Sequence, residues 1–73
     1  MKKYYFTFGT NPVFPFKNGY VQVQAVNLEK AVELFNSKFP PAKENTINCA
    51  FVYAGEEFNT VMTSNCHMII KEV

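Results

Sequence analysis

The stretch Val26–Phe39, VNLEKAVELFNSKF, decides how the rest of the chain must pack. Asn27 is placed to cap a helix, because its side-chain oxygen can accept an orphan backbone N–H of the first turn. Leu28, Ala31, Val32, Phe35 and Phe39 then recur at helical spacing and form one apolar stripe, with Leu34 at its edge. Glu29, Lys30, Glu33, Asn36, Ser37 and Lys38 fill the remaining surface. Pro40 and Pro41 stop the helix, since proline disfavours helical geometry in the residue before it and has no N–H to donate. A helix this short is marginal alone in water, so its stripe needs a partner, and the flanking strands are the surface available.

Immediately upstream, Gly19–Ala25 alternates with period two: Val21, Val23 and Ala25 face a core, and Tyr20, Gln22 and Gln24 face away. Tyr4–Phe8 does the same, with Tyr4, Phe6 and Phe8 on one side and Tyr5 and Thr7 on the other. The connection Thr10–Asn18 contains Pro12, Pro15 and the start of Asn18–Gly19, all turn formers, together with Val13, Phe14 and Phe16. A core this small needs those rings, so the loop is expected to fold back over an edge of the core. The competing reading is an exposed apolar lip that touches a partner.

Downstream, Ala42–Thr46 reads as a loop and Ile47–Ala54 as a third strand. Ile47, Cys49, Phe51 and Tyr53 share one face and Asn48, Ala50, Val52 and Ala54 the other; both are fairly apolar, which suits a central strand. Glu56–Asn65 is either a short helical turn, opened by Glu56 and Glu57 before Phe58, Val61 and Met62, or an irregular loop. His67–Val73 closes the chain as a strand. The expectation is an α+β fold: a two-layer β-β-α-β-β domain over residues 1–73, its four-stranded sheet mostly antiparallel, with one helix on one face. In the expected sheet order the second strand is followed by the first, third and fourth, with every neighbouring pair antiparallel.

At 73 residues the chain lies near the lower limit for a self-sufficient core. Eight Phe and four Tyr compensate, and a homodimer would add buried area. The seven basic residues are all lysines, scattered in sequence, and the net charge is +1. Lysine offers a point charge where arginine offers a bidentate fork, so nucleic-acid binding is disfavoured. Lys2 and Lys3 precede an apolar run too short for a leader, and no stretch has transmembrane length; the expected address is cytoplasmic, with no membrane partner. Cys49 and Cys66 are then expected as thiols, pairing only in an oxidising compartment.

Cys49, Cys66 and His67 lack zinc-site spacing, and the neighbours Cys66 and His67 point to opposite faces of a strand, so they do not form a nucleophile pair. Cys49 with His67 across strands stays open. Glu56 and Glu57 diverge in either a strand or a helix, which argues against acid–base work and for a solvated contact patch. No cofactor, metal or catalytic group is expected. The outward residues Tyr5, Thr7, Tyr20, Gln22 and Gln24 form an aromatic–polar sheet face of the kind that binds proteins, or that stacks bases. Packing of Tyr5 on Tyr20 explains those two rings equally well without any ligand.

Tyr4-Tyr5-Phe6-Thr7-Phe8-Gly9, Gly19-Tyr20-Val21, Ala25, Glu29-Lys30-Ala31, Phe39, Ala50-Phe51-Val52-Tyr53 and Glu56-Glu57-Phe58 resemble a group of very small proteins of phages and mobile elements of Gram-positive bacteria. Cys49 stands where that group often has Trp, and the Thr10–Asn18 and Pro40–Asn48 connections are longer. The resemblance carries no activity; it implies an accessory or anti-defence (anti-CRISPR-like) protein that binds a host protein. The expected function is therefore a small non-enzymatic protein-binding module. Its contact residues are Tyr5, Thr7, Tyr20, Gln22, Gln24, Glu56, Glu57 and Phe58, and its partner is a host protein or a second copy. The alternatives are a small-molecule or nucleotide binder at a dimer seam and a weak single-stranded nucleic-acid binder.

Overall fold

Capping, alternation and proline punctuation place the elements where local chemistry requires them. A computed structural model describes residues 1–43, 46–55 and 66–72. In chain order the elements are β1 (Lys2–Thr7), β2 (Tyr20–Ala25), α1 (Leu28–Lys38), β3 (Phe51–Ala54) and β4 (Cys66–Lys71). The predicted segment Glu56–Asn65, with Glu56, Glu57 and Phe58, lies outside the described residues.

The Asn27 side chain accepts from the Lys30 amide at 2.8 Å, and Glu29 sits in the first turn where the helix dipole favours an anion. Such a cap stabilises a helix by about 1 kcal/mol. At the other end Phe39 has left helical geometry (φ −129°, ψ 80°), as a residue before proline does, while its amide still reaches the Phe35 carbonyl at 2.8 Å. Ala31 and Phe35 are buried, and Val32, Leu34 and Phe39 pack beside them; Leu28, expected in the stripe, is half exposed at the first turn.

The four strands form one mixed sheet in the order β3-β1-β2-β4. As expected, β1 lies between β2 and β3 and is antiparallel to both. The fourth strand corrects the expectation. β4 pairs with β2, and does so in parallel, in place of an antiparallel pairing with β3. Alternation fixes which face a side chain takes but says nothing about which edge a later strand will join.

The third strand is also shorter than predicted and lies at an edge, not the centre. Regular pairing begins only at Phe51, because the chain turns through Asn48–Ala50 and the Ala50 amide bonds the Thr7 carbonyl at 2.7 Å. Ile47 and Cys49 therefore pack against the core while Phe51 is 65% exposed, although strict alternation would have put all three on one face.

The core is the layer between sheet and helix: Tyr4, Phe6 and Phe8 from β1 and its end, Val21, Val23 and Ala25 from β2, Ala31 and Phe35 from α1. Phe6 stacks on Phe35 at 4.3 Å between centroids, the ring planes nearly parallel at 4°. The long loop folds back as expected. Phe14 and Phe16 pack against the core, while Val13 stays in solvent. Asn18 (φ 63°) and Gly19 (φ 86°) take left-handed geometry to enter β2, and the Asn18 amide closes the loop onto the Gly9 carbonyl at 2.7 Å.

Candidate interaction face

Among the described residues one helix, α1, covers one side of the sheet, and the side chains that alternate away from it form a second surface. The strand registers align those side chains in three rows. Across the first run Phe51, Thr7, Tyr20 and Cys66; across the second Tyr53, Tyr5, Gln22 and Ile69; across the third Lys3, Gln24 and Lys71. The face thus has rings at one end, amides in the middle and two ammonium groups at the other. No carboxylate stands in these rows among the described residues.

Contacts within the face hold it in shape. Tyr5 meets Tyr20 edge-on at 5.4 Å and 73°, and Phe51 lies tilted against Tyr53 at 6.2 Å. Gln24 donates to the Gln22 side-chain carbonyl at 2.7 Å, and the Thr7 hydroxyl donates to the Phe51 carbonyl at 3.3 Å. Partial burial, then the Cys66 thiol that it hydrogen-bonds, and then Tyr5 hold the Tyr20 phenol above its usual range. The Tyr20 ring therefore stays uncharged, and with Tyr5, Phe51 and Tyr53 it makes the aromatic end of the face. Phe51 and Ile69 are the most open apolar members, at 65% and 53% exposure.

All five sheet residues expected in the site, Tyr5, Thr7, Tyr20, Gln22 and Gln24, come together here. Six more belong to the surface and were missed by the sequence reading of the site: Lys3, Phe51, Tyr53, Cys66, Ile69 and Lys71. Lys3 obeys the same alternation as Tyr5 and Thr7, so the signal for it was present. Phe51 and Tyr53 depended on where the third strand starts, and Cys66, Ile69 and Lys71 on the fourth strand joining β2.

The imidazole and the Cys49 thiol have separate surroundings. The His67 ring stacks on Phe16 at 4.5 Å and 4°, and Nε2 donates to the Asn18 carbonyl. Cys49 packs against the core, and burial alone pushes its thiol up to about 11. A thiol activated by an imidazolium would move the opposite way. Among the described residues no three of His, Cys, Asp and Glu gather as a metal site, and no helix is long and apolar enough to cross a membrane.

Both cysteines are free, with Cys66 exposed. Ellman's reagent at pH 8 should therefore modify Cys66 rapidly and Cys49 only as the chain opens, because almost none of a thiol at about 11 is ionised at that pH. Equal rates for the two thiols would contradict the buried placement of Cys49.

The chain matches no family model, no curated protein and no solved structure.

Proposed function

We propose that this chain is a small non-enzymatic binding module whose sheet face opposite α1 engages another protein, and that the partner presents carboxylates beside apolar surface. The supporting observation is the arrangement in three rows, with four aromatic rings joined through glutamines to Lys3 and Lys71. Tyrosine supplies contact area at low entropic cost and a hydroxyl for the rim, and lysines select an acidic neighbour. The resemblance to small phage and mobile-element proteins makes a host protein in the bacterial cytoplasm the partner of choice, with a defence nuclease among the candidates.

The test begins with affinity capture from a bacterial lysate, followed by reconstitution with the purified partner. Tyr5→Ala and Tyr20→Ala should each weaken that complex by about tenfold or more, as loss of a central aromatic anchor does. Lys3→Glu with Lys71→Glu should slow association, most visibly at low salt. A reconstituted partner indifferent to both tyrosine changes, with the variants still folded, would refute the reading.

The same rows favour one second reading, since rings beside lysines can also stack single-stranded bases. Two phosphate contacts predict a shallow salt dependence, with a log–log slope of about −1.4. No retention of an oligonucleotide at low salt removes this reading.

A further inference from the structure

We propose that β4 is a self-pairing edge, and that two copies of the chain join antiparallel through Cys66–Lys71 about a two-fold axis at Ile69. The pairing uses main-chain groups on the rim of the sheet, while the Ile69 and Lys71 side chains belong to the open face.

The phase of the ladder comes first. The Glu72 amide donates to the Gln24 carbonyl at 2.9 Å, on the β2 side. Successive amides of a strand point to opposite sides, so those of Met68 and Ile70 also face β2, and those of Ile69 and Lys71 face the outer rim. The strand is six residues long, with Met68, Ile69 and Ile70 consecutive and neither proline nor glycine to interrupt it. Protected edges are short, charged or broken. The other rim, β3, is only four residues long, and its Tyr53 and Ala54 carry further interactions.

The occupant follows from self-complementarity. With the axis at Ile69, its outward N–H and C=O meet those of the partner's Ile69 as a doubly hydrogen-bonded pair. Met68 falls opposite the partner's Ile70, and both pack against the core on the helix side in each copy. The apolar layer would then run unbroken across the junction. Lys71 falls near the partner's His67, the extra residue at the register shift opposite Tyr20 and Val21, whose ring is turned onto Phe16. The two Lys71 charges end at opposite ends of the seam. A parallel in-register stack would instead place Lys71 beside Lys71, which selects a closed pair over an open fibre. A seam one strand long buries little area, so association should be concentration-dependent.

The test is sedimentation of the full chain over a concentration series in reductant. The mass should rise from 8.4 kDa toward twice that value. Ile69→Lys should stay at the single-chain mass throughout, with its melting curve retained. In a Cys49→Ala, Cys66→Ala background, Ile69→Cys should form a symmetric disulfide under mild oxidation, because such a pair places its Cα atoms about 5.5 Å apart, within disulfide range. Lys71→Cys in the same background should remain unlinked. A constant single-chain mass overturns the proposal. So does a dimer that survives Ile69→Lys, preferential linking at residue 71, growth beyond two copies, or a monomer whose rim accepts only a foreign strand.

Discussion

Phe35→Ala is expected to leave the chain without a cooperative fold at room temperature. Phe35 is fully buried, stacked on Phe6 at 4.3 Å, and lies 6.1 Å from Phe8 and 5.0 Å from Phe39 between centroids. It is the largest side chain that the helix places in the core, and it touches rings from both layers and from the helix end. Truncating a buried Phe costs about 3–5 kcal/mol, through lost transfer energy and the cavity left behind. A single core of this size supplies about 3–5 kcal/mol in total. The deficit therefore consumes the whole stability. Circular dichroism should show no sharp melting transition for the variant. Phe35→Leu keeps most of the volume and should still melt cooperatively at a lower temperature. A cooperative transition for Phe35→Ala within a few degrees of the parent would show that the helix does not hold the sheet.

Phe16→Ala carries the second-largest effect, and it tests the loop rather than the helix. Phe16 sits edge-on to Phe8 at 5.4 Å and to Phe39 at 5.6 Å, and its face is stacked by His67. One ring thus ties the loop Thr10–Asn18 to the end of β1, the end of α1 and the start of β4. Because Phe16 is only half-buried, its removal should cost about 2 kcal/mol, less than a core truncation. In a domain of this size that lowers Tm by about 8–16 °C. The Asn18 amide, which closes the loop onto Gly9, should also lose hydrogen-exchange protection. Val13→Ala is the control: Val13 is 70% exposed, and its change should fall within about 0.5 kcal/mol of the parent. If both variants behave alike, the loop is not part of the core.

These two expectations differ in how much of them could be read from the residues. The spacing of Leu28, Ala31, Val32, Phe35 and Phe39 identified the helix, its cap at Asn27 and its stop at Pro40, because each is a contact within a few residues. The alternation in Tyr4–Phe8 and Gly19–Ala25 identified the buried set and the outward set without error, since a pleated strand leaves no other choice. That placed Tyr5, Thr7, Tyr20, Gln22 and Gln24 on a common surface. The same rule failed at Ile47–Ala54, because the chain turns over at Asn48–Ala50 to meet Thr7, and that turn depends on a carbonyl 43 residues away in sequence.

Short-range periodicity, capping and proline geometry by themselves determined α1, the strands around it and the α+β class. Only the tertiary structure decided that β4 runs parallel beside β2, that β3 is a short rim strand, and that Phe51, Tyr53, Ile69 and Lys71 join the tyrosines on one face. The reason is physical. A side chain's face follows from its own backbone, whereas a strand's neighbour follows from which exposed edge lowers the free energy of the whole sheet, and that information lies in no single stretch of the chain.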